Sequence, residues 1–328
     1  VPRPRGADKA AEELEPVDEF APAAAPDPAQ DLVLQKTYRK AFLIDASGPI
    51  FERFFWYLDQ RLDLAQQQGA DLVIIRLTSP GGDLERTLQL SRRLRDMDWA
   101  TCVVFIPQEA ISGGAILALG ADRIYMQEGA LIGDAGPITL GAGGQFEHVP
   151  EKIVSYSAGA IREIALATGR PAALAEAMVN RNLTVYQATE IATGEIVYVT
   201  KRQLDDPQFA AGLQVGQPVP EAGNNRFLTL GARRAAELSL SAGVFASETE
   251  LLEQFSIERV IPTRMNWVDR TVFTLNRPWL TALLVIAGLI GLYLELAAPG
   301  ISVAGLTSLV CFSIFFWSHV LGGTAGWL

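Results

Sequence analysis

The chain has 328 residues, 27 basic and 37 acidic, for a formal net charge of −10. That balance excludes a general nucleic-acid binder, which needs a basic excess to neutralise phosphates. Two cysteines and two histidines exclude a disulfide framework, a cysteine-based zinc site and a histidine-rich metal centre, and no cofactor is expected. From Pro278 to Leu328 the one charged residue is Glu295, whereas charge is spread at an ordinary density through the residues before it. The chain therefore reads as a soluble body followed by an apolar tail.

Residues 1–30 hold eight Ala and six Pro among mixed charges with no apolar period, the composition of a disordered leader. From about Tyr38 the pattern changes. Ala41 to Asp45, Leu72 to Leu77, Thr101 to Ile106 and Arg123 to Met126 are predicted strands, near-continuous apolar runs of the kind buried on both faces of a parallel sheet. Between them, Phe51–Gln68, Asp83–Met97 and Ser112–Gly120 read as helices, so the order argues right-handed βαβ units. Gly133 to Gly144 is glycine-rich and irregular. Lys152–Thr168 and Pro171–Asn180 are predicted helices, Ile196–Thr200 a strand, and 201–225 a polar surface excursion. Helices over 232–240 and 248–255 close the body. In the tail, 278–294 and 301–321 are uncharged runs separated by Pro299-Gly300 and flanked by Trp279 and Trp327, which predicts two membrane-crossing helices with Glu295 snorkelling near one face. The alternative is a buried helical hairpin.

Two glycine-rich turns carry the candidate chemistry. Thr78-Ser-Pro-Gly-Gly-Asp83 and Ala110-Ile-Ser-Gly-Gly-Ala115 each lie between a strand and a helix, where open α/β sheets place their sites. Gly81, Gly82 and Gly113 bring backbone N–H groups where a Cβ would obstruct them, and such groups suit an oxyanion. Ser112 is a candidate nucleophile, although a serine at a helix start is commonly an N-cap. A nucleophilic serine needs a base, and the sequence offers His148 or Lys152. Lysine is sparse, with five against 22 arginines, and a desolvated lysine can take the proton of a serine hydroxyl.

The order Ser79-Pro-Gly-Gly82, Ser112-Gly-Gly114 and Ala121-Asp-Arg-Ile-Tyr-Met126 resembles the Clp protease/crotonase superfamily. More closely it resembles the NfeD-type membrane serine proteases, relatives of signal peptide peptidase A. Leu131-Ile-Gly133 with Gly136-Pro137, Lys152–Tyr156 through Ala167–Arg170, Phe227–Ala232 through Gly243, and Leu294–Gly300 are similar to later stretches of that family. The resemblance implies a Clp protease/crotonase-like α/β spiral with a parallel sheet followed by C-terminal transmembrane helices. Its expected division is a leader over 1–37, a serine protease domain over 38–270 and a membrane segment over 271–328, with spans near 278–298 and 301–321. It implies Ser112 as nucleophile, Lys152 as general base, and oxyanion donors at Gly81, Gly82 and Gly113, with no metal.

The resemblance also implies a serine endopeptidase acting on apolar segments of membrane-associated proteins, stomatin-like partners among them. Membrane lipid, a homodimer or larger homo-oligomer, and an extracytoplasmic protease domain are expected with it. The family often continues into more membrane helices and a small β-barrel, which makes this chain a candidate fragment. The competing readings are an inactive protease-like membrane scaffold and a crotonase-like acyl-CoA enzyme, against which the apolar tail argues.

Overall fold

The computed structural model describes residues 31–140, 146–263, 271, 274–275, 278–297 and 303–321. The leader over 1–30, the tip of the glycine-rich segment over 141–145, the turn over 298–300 and the end of the chain from 322, with Trp327, lie outside the described residues. The body is built on strands β1 (Ala41–Ser47), β2 (Leu72–Thr78), β3 (Thr101–Ile106), β4 (Glu109–Ile111), β5 (Arg123–Gln127) and β6 (Leu131–Gly133). These are followed by β7 (Val185–Glu190), β8 (Ile196–Thr200), β9 (Leu213–Pro218), β10 (Thr229–Gly231), β11 (Gly243–Phe245) and β12 (Val260–Thr263). The helices used below are α1 (Glu52–Gln67), α2 (Leu84–Arg95), α3 (Gly113–Leu119), α4 (Glu151–Ala167), α5 (Ala172–Val179), α6 (Ala232–Glu237), α7 (Glu248–Gln254), α8 (Pro278–Ala297) and α9 (Val303–Leu321).

A six-stranded sheet runs in the order β11-β5-β3-β2-β1-β12, every pair parallel. Its apolar runs are buried on both faces because side chains alternate across a strand. Val73, Ile75, Leu77, Cys102, Val104 and Ile106 join the larger core under α1, α2 and α3. Leu72, Ile74, Val103, Phe105 and Tyr125 point the other way, against Tyr38, Leu251 of α7 and Phe255. Tyr125 meets the Phe245 and Phe255 rings edge-on at 5.5 and 6.4 Å, a favoured aromatic geometry.

A second sheet, β10-β6-β4, pairs β4 with β6 in parallel and β6 with β10 antiparallel. A bridge between Ser79 and Ala110 fastens it to the end of β2. These strands of three residues are too short to show a period and are absent from the sequence-based reading. The stretch over 201–225 holds two one-turn helices and strand β9, which with β7 and β8 makes a three-stranded antiparallel sheet in the order β8-β7-β9. Residues 138–140 and 146–148 form an antiparallel pair, so part of the predicted irregular segment is a hairpin.

The tail forms two helices of 20 and 19 residues, each long enough to cross about 30 Å of hydrocarbon. Only 11 % of each span is buried, so these are not core helices of a soluble body. Gly288 faces the Phe312 ring, and Gly291 lies against the Ala304 carbonyl and Ser308, the small-residue contact that lets apolar helices approach. Glu295 does more than snorkel: its carboxylate accepts the Gly305 amide at 3.0 Å and caps the first turn of α9.

Candidate active site

The site forms where two strand-to-helix turns meet. Asp83 starts α2 as an N-cap, accepting the Arg86 amide at 2.8 Å. Ahead of it, three contacts set the turn. Ser79 Oγ accepts the Gly81 amide at 3.1 Å, Ile50 N–H donates to the Gly81 carbonyl at 2.8 Å, and Asp83 N–H donates to the Ile50 carbonyl at 2.8 Å. The carbonyl and N–H of a trans peptide point in opposite directions. With the Gly81 carbonyl held on Ile50, the Gly82 N–H therefore points away from Ile50.

Opposite this turn, Ser112 links β4 to α3 with φ +54° and ψ −124°. Its own amide donates to the Gly133 and Asp134 carbonyls at the end of β6, at 3.0 and 3.1 Å. Ser112 occupies the N-cap position, yet its hydroxyl makes no capping bond, and among the described residues its Oγ has no hydrogen-bond partner. Ser112 is thus a half-buried serine on a positive-φ turn that does not act as a side-chain cap.

The glycines explain how closely the turns approach. A Cβ on Gly81, whose φ is +101°, would lie 2.4 Å from Ser112 Cβ and 2.7 Å from its Oγ. A Cβ on Gly113 would lie 2.7 Å from Thr87 Oγ1 and 3.3 Å from the Gly82 nitrogen. The Gly82 and Gly113 nitrogens thus lie close together beside Ser112, and among the described residues neither amide donates to another group. Gly81 differs from the sequence-based expectation: its amide is taken by Ser79, so its part is close approach rather than donation. The hydroxyl of Ser79, the carbonyl-fixing amide of Ile50 and the supporting Thr87 are site residues the sequence reading missed. Ser79 stands in the quoted motif, which was the available signal; nothing local marks Ile50 or Thr87.

Lys152 is the second residue of α4 and is exposed, beside Ile153 and Tyr156, themselves 39 % and 52 % exposed. Among the described residues no apolar cover closes over this turn, and the loop over 133–150 that was expected to help cover it lies partly outside the described residues. No hydrogen bond joins Lys152 to Ser112. His148 lies in the short hairpin, with its side chain outside the described residues. A cavity of about 720 Å³ opens along α4 towards α5, lined by Glu151, Val154, Arg162, Glu176 and Phe227 among others, but not by Ser112 or Lys152. Within it Arg162 pairs with the buried Glu176 carboxylate at 2.9 Å.

A parallel six-stranded α/β body with a short second sheet at the end of its strands defines a Clp-protease-like fold. Sequence comparison places the chain more narrowly. Residues 43–217 match the NfeD1b N-terminal domain, and residues 279–328 match the NfeD integral membrane domain, so the chain belongs to the NfeD1b family. It is 24 % identical over 273 residues to the membrane protein NfeD1b of Bacillus subtilis, covering 83 % of this chain and 54 % of that protein. It is 26 % identical over 192 residues to the membrane-bound protease PH1510 of Pyrococcus horikoshii, covering 58 % of this chain and 43 % of that protein. The chain thus spans about half the length of these curated relatives. The fold is similar to that of a lysine-to-alanine variant of the 1510-N membrane-bound stomatin-specific protease solved with a substrate peptide. The TM-score is 0.53 and the identity 18 %, over 72 % of this chain and 97 % of the other.

Proposed function

We propose that this chain is a membrane-anchored serine endopeptidase in which Ser112 is the nucleophile, Lys152 the general base, and the Gly82 and Gly113 amides the oxyanion donors. The observation that carries the reading is Ser112 itself: a positive-φ serine with an unpartnered hydroxyl beside two amides that donate to nothing else. In this reading Ser112 Oγ attacks the scissile carbonyl carbon while Lys152, as the neutral amine, takes its proton. The two amides receive the developing negative charge on the carbonyl oxygen. The lysine then returns the proton to the leaving amine, and water resolves the acyl-enzyme by the same route. The base step needs Lys152 Nζ within about 3 Å of Ser112 Oγ, a contact that unliganded enzymes often form only with substrate in place.

The proposed protease unit is 38–270 and the proposed membrane unit 271–328, anchored in lipid as a multi-pass segment with the protease domain extracytoplasmic. Apolar segments of membrane-associated proteins are the proposed substrates, with stomatin-like proteins among the partners and a homodimer or larger assembly as the working form. Support for the substrate class comes from the relative named a stomatin-specific protease.

The test is labelling by a fluorophosphonate, in which Ser112 Oγ forms the P–O bond as fluoride leaves and the proton passes to the base. The 328-residue chain in detergent is expected to label at Ser112. Ser112→Ala abolishes labelling, Lys152→Ala lowers its rate by about 100-fold or more, and His148→Ala leaves it unchanged. Exposure of Lys152 and its lack of a bond to Ser112 favour one second reading, an inactive protease-like scaffold. A folded wild-type chain with an unreactive Ser112 would establish that one.

A further inference from the structure

We propose that Ser79 is a positioning residue for the oxyanion cradle. This rests on the hydrolase reading above and adds to it a side chain that sets where the Gly82 donor points. Ser79 is fully buried, so its hydroxyl serves nothing at the surface. It accepts the Gly81 amide two residues on, across Pro80, closing a side-chain-to-backbone turn. Its backbone is fixed at the same time: Ser79 N–H donates to the Glu109 carbonyl and its carbonyl accepts the Ile111 amide, both at 2.9 Å. Ser79 is thereby tied to β4, the strand that delivers Ser112. A Cβ on Gly114 would lie 2.9 Å from the Ser79 carbonyl oxygen, so the two turns interlock at this residue.

The geometric consequence runs through one residue. Gly81 sits at φ +101°, a conformation glycine shares with competing alternatives. Its N–H is held by Ser79 and its carbonyl by Ile50. Those two bonds fix both peptide planes around Gly81, and the second plane carries the Gly82 N–H. Removal of the Ser79 hydroxyl releases the first plane and leaves the second held by Ile50 alone, so the Gly82 donor is aimed less tightly while Ser112, held separately by Gly133 and Asp134, keeps its place. Oxyanion donors act through pre-set direction, and an error of about 1 Å in a positioned group costs on the order of 100-fold in rate.

Ser91 provides a matched control. It too is fully buried and its hydroxyl donates to a backbone carbonyl, that of Ile116, towards the far end of α3. The experiment measures fluorophosphonate labelling of the full chain in detergent as a function of probe concentration, for wild type, S79A, S79C and S91A. Expected is a 10- to 100-fold fall in the maximal labelling rate of S79A, with the half-saturating probe concentration unchanged and S91A close to wild type. Should S79A fail to fold, S79C keeps the volume with a weaker acceptor and is expected to show the same fall. Labelling of folded S79A or S79C at the wild-type rate, or an equal loss in S91A, overturns the proposal while leaving the hydrolase reading intact. A wild-type chain that does not label at Ser112 overturns both.

Discussion

At position 112 a serine holds a backbone conformation that costs a non-glycine residue about 1–3 kcal/mol, and its hydroxyl recovers none of that through a cap. The strain is maintained by the Gly133 and Asp134 carbonyls on its amide and by the absence of any side chain on Gly81. Gly81→Ala places a methyl group inside the contact distance of Ser112 Oγ. Fluorophosphonate labelling is expected to fall at least about 100-fold, whereas Gly129→Ala, at another positive-φ glycine with open space around it, leaves the rate unchanged. The neighbouring turns that hold Gly82, Ser112 and Gly113 were legible only as a pair and through the family resemblance, because either glycine-rich turn alone reads as an ordinary turn or cap. The occupation of the Gly81 amide was not, because it depends on a side-chain torsion at Ser79 and on Ile50 in a distant loop. Nor was the exposure of Lys152, because an apolar neighbour such as Ile153 gives no direction until the helix is packed.

Helix α3, which follows Ser112, is fixed at both ends by different means. Its start is held through Ser112 to β6. Its end is held by Arg170, whose buried guanidinium donates to the carbonyls of Leu119, Ala121 and Leu240 at 3.1, 2.7 and 3.3 Å. Burial pulls the Arg170 pKa down to about 10, which still leaves it cationic at neutral pH, the charge that suits a helix C-terminus. Arg170→Met removes the guanidinium donor from the Ala121 and Leu240 carbonyls and leaves Leu119 with the Thr168 hydroxyl. It is expected to destabilise the body by about 3 kcal/mol or more, read as a lowered Tm. The long strands β2 and β3 were plain in the sequence because Leu72–Leu77 and Thr101–Ile106 are apolar throughout. Strands β4, β6 and β10 were not, since three residues carry no readable period and their identity comes from pairing. The sequence located the three-residue stretch around Gly133 but gave it no partner; the partner is Thr229–Gly231, almost a hundred residues on.

Across the whole molecule, the body and the apolar tail meet different solvents, and the tail carries a part-buried carboxylate cap. Glu295→Leu removes the acceptor of the Gly305 amide and is expected to lower the resistance of the helical pair to denaturing detergent by about 1 kcal/mol. Glu295→Gln, which keeps an acceptor oxygen, has a smaller effect. Gly291→Leu wedges the pair apart at the Ala304 carbonyl and is expected to act in the same direction. The close contact between α8 and α9 has a topological consequence. Under the proposed multi-pass reading, two packed helices joined by a short connection return the chain to the face it left, so the end of α9 is expected on the same side as the Ser112 domain and the end of α8 on the opposite side. A cysteine introduced at Ala297 and one at Val320, near the ends of α8 and α9, are then expected to react with a membrane-impermeant maleimide from opposite sides of a sealed vesicle.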